Sequence, residues 1–250
     1  MSGRFADPFA VRIRQAGVPY YQAEVVRTIP HDPALVTEGL CAVPGGLLES
    51  AGGYGQSAVL HHDFGSAKAL SAAGPAEVFG EGICRIGDTA WQLTYQEKLA
   101  LAWRVSDLTL LRQVPYDRDG WGICAGDSAV YSTDGSSEIT LRDPDSLIAA
   151  GQLVVRIGTE PLTGLHDLTI AESGLWITKT RSHWLVRVEL ASGQVNGAAN
   201  LRRAFHDVAG FSDWGVTAIS AAAGTDLTFW VTGKHYPFLI QVRLSPDGSG

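Results

Sequence analysis

Charge is scarce in this chain, and one sign of it is outnumbered. Of 250 residues only 18% are Asp, Glu, Lys or Arg, and 19 basic residues face 26 acidic ones, a net charge of −7. Such a balance leaves no extended basic footprint, so no nucleic-acid partner is expected. No apolar run approaches the roughly 20 residues of a membrane span. Residues 1–20 are interrupted by Arg4, Asp7, Arg12 and Arg14 and lack the continuous apolar stretch of a secretory signal. The expectation is a protein without membrane association, in the cytoplasm. Cysteine is rare too: three residues, an odd number without C-x-x-C spacing, argue against a disulfide framework or a zinc motif. There is no G-x-S-x-G elbow, no Walker A motif and no G-x-G-x-x-G in a strand–helix setting, so no phosphate or dinucleotide cofactor is indicated. No cofactor and no metal are expected.

Glycine, by contrast, is abundant at 29 residues, which with modest charge suits many short strands joined by tight turns and disfavours long amphipathic helices. Five stretches share one pattern: Glu38-Gly39-Leu40-Cys41, Glu81-Gly82-Ile83-Cys84, Trp121-Gly122-Ile123-Cys124, His166-Asp167-Leu168-Thr169 and Trp214-Gly215-Val216-Thr217. Their starts lie roughly 40 to 50 residues apart, a period that marks repeat architectures. Each is followed by an alternating strand-like run, such as Trp91-Gln92-Leu93-Thr94 or Leu175-Trp176-Ile177-Thr178, and then by a third. Polar turns such as Asp143-Pro144-Asp145 and Ala191-Ser192-Gly193 close several units.

Three to four strands in each of five units predict an all-β fold, a five-bladed β-propeller, as a single domain over residues 1–250 with residues 1–19 as an N-terminal extension. The strand-like Ala23-Glu24-Val25-Val26-Arg27 is expected to seal the ring by joining the last blade, because an open edge is a liability. Residues 65–73, rich in Ala and Ser, read as a helical turn or a loose connection.

If the five stretches are equivalent strands of a ring, their first residues converge: Glu38, Glu81, Trp121, His166 and Trp214 form the primary candidate site. Cys41, Cys84 and Cys124 hold one repeat position, where Thr169 and Thr217 stand in the other units, and read as small buried hydrophobes. His61-His62-Asp63 has the look of a metal cluster, yet neighbours on a strand face opposite sides. His183 and the His206-Asp207 pair read as turn or surface residues.

Thr37-Glu38-Gly39-Leu40, Gly53-Tyr54-Gly55-Gln56-Ser57, Phe79-Gly80-Glu81-Gly82, Leu93-Thr94-Tyr95, Asp119-Gly120-Trp121-Gly122, Thr133-Asp134-Gly135-Ser136 and Val231-Thr232-Gly233-Lys234 occur in this order over nearly the whole chain. Together they resemble the ordered motifs of the plant and bacterial glutamine cyclotransferases, the glutaminyl-peptide cyclases of papaya type. The resemblance implies a five-bladed propeller that converts N-terminal glutamine to pyroglutamate with loss of ammonia. It implies catalytic roles for Glu81, as the acid of the F-G-E-G motif, and for Lys234. It also implies that Trp121 lines the substrate pocket, which with the ring positions Glu38, His166 and Trp214 and with Tyr54, Gln56, Tyr95 and Asp167 from the same stretches makes up the expected substrate-binding set.

The departures from that family matter as well. Glu38 stands where the family has glutamine, so an acid that when ionised only accepts hydrogen bonds replaces an amide that can donate. L-T-W becomes Leu93-Thr94-Tyr95, L-N-E-L-E becomes Leu165-His166-Asp167-Leu168-Thr169, and a family tryptophan falls at Thr180. The expected substrate is a small peptide or an amine-bearing small molecule, a specialised metabolite included, and the expected state is a monomer. A non-catalytic propeller that binds an amine-bearing ligand or a protein partner at the same mouth is the competing class.

Overall fold

In the computed structural model, residues 7–66, 69–210, 213–222 and 227–247 are described, and everything below concerns these. Strand β1 (Tyr20–Pro30) is followed by a first antiparallel unit, β2 (Val36–Val43), β3 (Gly46–Gly52), β4 (Ala58–Asp63) and β5 (Ala69–Ala73). The second comprises β6 (Gly80–Ile86), β7 (Thr89–Thr94), β8 (Leu99–Arg104) and β9 (Leu110–Pro115), and the third β10 (Ile123–Ala125), β11 (Val130–Thr133), β12 (Glu138–Arg142) and β13 (Ala149–Val154). After a small hairpin, β14 (Arg156–Ile157) and β15 (Glu160–Pro161), come β16 (Leu165–Ala171), β17 (Gly174–Lys179), β18 (Trp184–Glu189) and β19 (Val195–Asn200). The last unit is β20 (Ala218–Ala221), β21 (Thr228–Thr232) and β22 (Phe238–Pro246). The fold is all-β, with two eight-residue helices, α1 (Pro8–Gln15) and α2 (Arg202–Ala209).

β1 supplies the fourth strand of the last unit, as expected of the segment containing Ala23–Arg27. It pairs antiparallel with β22 from Tyr21 opposite Pro246 to Pro30 opposite Phe238, with a bulge between Val25 and Arg27. It also meets β19 in parallel at Tyr20 and Tyr21, so the last two units share one eight-stranded sheet. The first strands pack in a cycle: β2 on β6, β6 on β10, β10 on β16, β16 on β20 and β20 back on β2.

Burial grades outward from that cycle. β3 is buried along its whole length, whereas the outermost β5 and β9 are largely exposed. The interior strands thus bury both faces between units, and polar residues on them such as Glu49, Ser50 and Gln92 are buried as well. Leu48, Ile83, Leu101 and Trp103 fill one such seam. Within it the Trp103 indole donates to Gln92 Oε1 at 3.1 Å, and Gln92 Nε2 donates to Ser50 Oγ at 2.8 Å, so the buried amide ties the second unit to the first.

One expectation is corrected. Residues 69–73 of the 65–73 segment form the edge strand β5, not a helical turn; their exposure removes the apolar alternation that would have marked a strand. Residues 67 and 68 lie outside the described residues. The N-terminal extension contains α1, which Asp7 caps by accepting from Phe9 N at 2.9 Å with Pro8 in the first turn. The other Asp7 oxygen accepts from the Trp184 indole at 2.8 Å, and Phe9 packs edge-on against Trp184, so α1 is strapped to the fourth unit.

Candidate active site

Three of the first-position residues sit where strand register slips. Pairing shifts between Thr37 and Gly39 in β2, between Gly80 and Ile83 in β6, and between Leu165 and Leu168 in β16. A bulge re-aims the side chain of the extra residue, here Glu38, Glu81 and His166. The residue that follows permits the close approach. A Cβ on Gly39 would stand 2.7 Å from Gly82 Cα, and one on Gly82 the same distance from Gly122 Cα, both backbone atoms that cannot move aside.

The fourth repeat has Asp167 in place of glycine, and its carboxylate closes the axis. Asp167 Oδ2 accepts from Ile219 N at 2.8 Å and Leu40 N at 3.3 Å. Burial pushes its pKa well above the usual carboxylate range despite those backbone hydrogen bonds. Asp167 is fully buried and does not line the mouth, so its expected place in the substrate pocket is corrected to that of a plug beneath it.

The fifth repeat is three residues out of register with expectation. Thr217 N donates to Thr232 O as Trp121 N donates to Thr133 O, each at 3.1 Å, so Thr217-Ala218-Ile219-Ser220 is the equivalent stretch. Thr217 therefore completes the ring, and its hydroxyl donates to Thr37 O at 2.6 Å. Trp214 belongs to the preceding turn, where Gly215 adopts φ +72 and packs against the Ser182 backbone. It is 41% exposed and still reaches the rim.

The mouth of the ring is a cavity of about 330 Å³. One wall is a run of aromatic rings: Tyr54 and Phe79 at 5.7 Å between centroids, Phe79 and Tyr95 at 6.1 Å, Tyr95 and Trp121 at 6.5 Å, and Trp121 and His166 at 5.4 Å. Opposite stand Arg181, Trp214 and Lys234, with the Lys234 ammonium 5.0 Å from the indole centre and the Arg181 guanidinium 5.7 Å. Tyr54 is the outermost member, 58% exposed, and donates to Glu97 Oε1 at 2.9 Å. Gln56 is not brought to the cavity; it sits in an exposed turn, its backbone N–H donating to Gly53 O at 2.9 Å.

The charged groups lie at the floor. Lys234 Nζ is 2.7 Å from Glu38 Oε1, and His166 Nε2 is 3.4 Å from Glu38 Oε2. Glu38, Glu81 and His166 are all buried, and each offers an atom within 4.8 Å of the others. Burial and then the Glu38 charge push the Glu81 pKa well above its usual range, with Lys234 acting in the opposite sense. The floor thus pairs a carboxylate matched to an ammonium with a second carboxyl held as the acid, in contact with the cavity. Among the described residues this trio, drawn from three units, is the group that could hold a metal, which sequence spacing did not suggest. Sequence reasoning also left Phe79 and Arg181 without a role; Phe79 stands two residues before Glu81 in F-G-E-G, while nothing in the sequence marks Arg181.

A second cavity, of about 370 Å³, opens further along the same strands, lined by Cys41, Cys84, Cys124, Thr169, Ser220 and Arg85. The three thiols are unpaired, and burial pushes Cys41 up to about 12 and the other two well above their usual range. Protonated thiols are neither nucleophiles nor good ligands.

Bulged strand ends, a plugged axis and an acid facing an aromatic mouth define a β-repeat protein of the enzyme type. Residues 5–244 match the family model for glutamine cyclotransferase, and the chain belongs to that family. A glutaminyl-peptide cyclotransferase of Arabidopsis thaliana is 25% identical over 228 residues, covering 89% of this chain and 71% of the plant protein. The crystal structure of Myxococcus xanthus glutaminyl cyclase superposes with a TM-score of 0.82 at 24% identity, covering 92% of this chain and 99% of that one. The PQQ-bound aldose sugar dehydrogenase of Streptomyces coelicolor has a TM-score of 0.60 at 12% identity, covering 89% of this chain and 98% of that chain, a likeness of fold alone. No helix among the described residues is long and apolar enough to cross a membrane.

Proposed function

We propose that the chain is a five-bladed β-propeller of one domain that cyclises N-terminal glutamine of small peptides to pyroglutamate. The observation that carries the reading is Glu81: a buried carboxyl, held protonated beside the Glu38–Lys234 pair, opening on a mouth walled by aromatic rings.

The substrate α-amine attacks the side-chain carboxamide carbon. A nitrogen–carbon bond forms, negative charge gathers on the carboxamide oxygen, and the carbon–nitrogen bond to the departing ammonia breaks. Glu81 gives its proton to the leaving nitrogen and recovers one from the attacking amine, so it ends as it began. A carboxyl pKa raised toward working pH suits that shuttle. Lys234 supplies positive charge for the developing oxyanion, and Glu38, fully buried and outside the cavity lining, holds the Lys234 ammonium in place at 2.7 Å. Trp121, Tyr95 and Tyr54 bind the peptide along the aromatic wall, His166 borders the amine, and Trp214 covers the opposite rim. We assign the chain to a reducing cytoplasm, which three unpaired thiols suit, and treat it as a monomer because one chain supplies the whole mouth.

The experiment is an ammonia-release assay with Gln-initiated dipeptides, the product checked by mass for loss of ammonia. Turnover that Glu81→Gln abolishes is the expected result. A folded protein without turnover on any such peptide would sink the reading and favour a binding role for the mouth.

A further inference from the structure

We infer that Arg181, beside Trp214 on the rim of the mouth, is a carboxylate-binding subsite, so that the preferred substrates carry a carboxylate within the first three residues of the peptide. The identity of the substrate rests on the cyclotransferase reading; the subsite rests on the charges of the mouth. Two cations line the cavity, Arg181 and Lys234, and both approach one indole, at 5.7 and 5.0 Å from its centre. They differ in what they face. Lys234 is matched to the buried Glu38 at 2.7 Å. Arg181 is exposed, and among the described residues its side chain has neither a carboxylate nor a hydrogen-bond acceptor as partner. A guanidinium presents its donors as a planar fork that grips a carboxylate by two hydrogen bonds at once, and it stacks on aromatic faces.

The root of that side chain is fixed. Arg181 lies between β17 and β18 at φ +51, a conformation uncommon outside glycine. Thr180 N donates to Gly164 O and Val216 N to Ser182 O, each at 2.8 Å, and Ser182 Oγ donates to Lys179 O at 2.7 Å, so both neighbours of Arg181 are tied down. Charge across the mouth is lopsided as well. Glu81 is the acid in the lining and is held protonated, while Glu97 lies on the far wall, where Tyr54 donates to it at 2.9 Å. An anion is therefore drawn to the Arg181 side. The two distances through one indole bound the gap between the cations at about 11 Å, which an extended chain crosses in about three residues. With the glutamine carboxamide at Lys234, a carboxylate at Arg181 belongs to the same short segment: the terminus of a dipeptide or tripeptide, or an Asp or Glu side chain that follows the glutamine.

The test compares kcat/KM of the full chain in two arms. Gln-Ala against Gln-Ala-amide reads the chain terminus, and Gln-Glu-amide against Gln-Gln-amide reads an acidic side chain. In at least one arm the carboxylate is expected to be preferred about tenfold or more, as a charge-assisted hydrogen bond provides, and the difference should lie in KM, because Arg181 stands away from the reacting atoms. Arg181→Ala should bring that ratio to about one. Arg181→Lys should keep part of it, since the charge remains and the fork is lost. Arg203→Ala, on the exposed face of α2, should leave the ratio as it is. Each variant is checked by thermal melting, and if Arg181→Ala fails to fold, Arg181→Gln takes its place. Turnover without a preference in either arm, or a preference that survives Arg181→Ala, overturns the subsite and leaves the cyclotransferase reading standing. If no peptide is turned over, the same pairs are titrated by calorimetry: tighter binding of the carboxylate that Arg181→Ala abolishes would sink the cyclotransferase reading and keep the subsite, and equal or absent binding would sink both.

Discussion

Replacing Glu81 by glutamine should do two opposite things, and the contrast isolates the acid. The amide keeps the shape of the side chain but cannot shuttle a proton, so kcat for glutaminyl peptides should fall by about 10²–10⁴, the range of a general acid–base contribution. Stability should move the other way as pH rises. Burial and Glu38 raise the folded-state pKa of Glu81 above that of an unfolded chain, about 4.3. Between the unfolded and the folded value the native state binds more protons than the unfolded one. Stability that is complete below the unfolded pKa is therefore lost as pH climbs through this window, at up to about 1.4 kcal/mol per pH unit. Glu81→Gln has no proton to lose. For a chain of this size about 1 kcal/mol corresponds to roughly 2–4 °C, so the variant's Tm should gain about 3–6 °C on the wild type per pH unit across the window. Differential scanning fluorimetry from pH 4 to pH 9 reads it. Parallel wild-type and variant curves would show that Glu81 ionises like an exposed carboxyl, and the shuttle would lose its basis.

Three further outcomes are expected. Glu38→Gln removes a charge that raises the Glu81 pKa, so the alkaline limb of the kcat/KM profile should move to lower pH; a limb that stays in place or moves upward contradicts the coupling. Glu49 is fully buried between His31 at 2.8 Å and His62 at 2.6 Å, with Thr37 donating to it at 2.6 Å. Burial raises its pKa, but the two histidine hydrogen bonds outweigh that and bring it down to about 2. Its stabilisation is thus present above about pH 4.3 and lost as pH falls toward 2. Glu49→Gln should cost on the order of 3 kcal/mol in urea unfolding at pH 7 and flatten that acid limb; a loss below about 1 kcal/mol would refute it. Gly82→Ala should cost about 3 kcal/mol, because its methyl meets backbone at 2.7 Å. Gly87→Ala, at φ +59 in open space, should cost about 1 kcal/mol; equal losses would remove the close approach of the strands as the reason for the motif.

The repeat was legible where backbone contact dictates the residue. Gly39, Gly82 and Gly122 recur because first strands touch there, and that recurrence located Glu38, Glu81, Trp121 and His166 on one ring. It failed where a different residue meets the same need. At the fifth unit Ala218 takes the glycine position, while Trp214-Gly215-Val216-Thr217 copies the pattern for another reason, the left-handed turn at Gly215. Gln56 was misplaced because a motif in a loop fixes the turn, not the direction of each side chain. Asp167 is expected in the substrate pocket because its carboxylate is visible in the sequence and its two backbone donors, Ile219 and Leu40, are not. His31, Glu49 and His62 come from three separated segments, so only the fold assembles them.

The same backbone explains how one ring carries such different side chains. The five ring positions carry Glu38, Glu81, Trp121, His166 and Thr217, five places with four chemistries, on strands whose hydrogen bonds hardly differ. Thr133 donates through Oγ1 to His166 O, Gly82 N donates to Trp121 O at 2.7 Å, and Thr217 donates to Thr37 O. None of these bonds uses the side chain of an acid, an indole or an imidazole. Stability rests on main chain, glycine and threonine, and the bulges hand the side chains to the mouth. A substitution at Glu38, Glu81, Trp121 or His166 therefore alters charge and shape at the floor without removing any of these bonds, whereas a methyl on Gly39 or Gly82 strikes the neighbouring backbone. Glu81 faces the cavity by this arrangement, while Glu38 lies fully buried against Lys234.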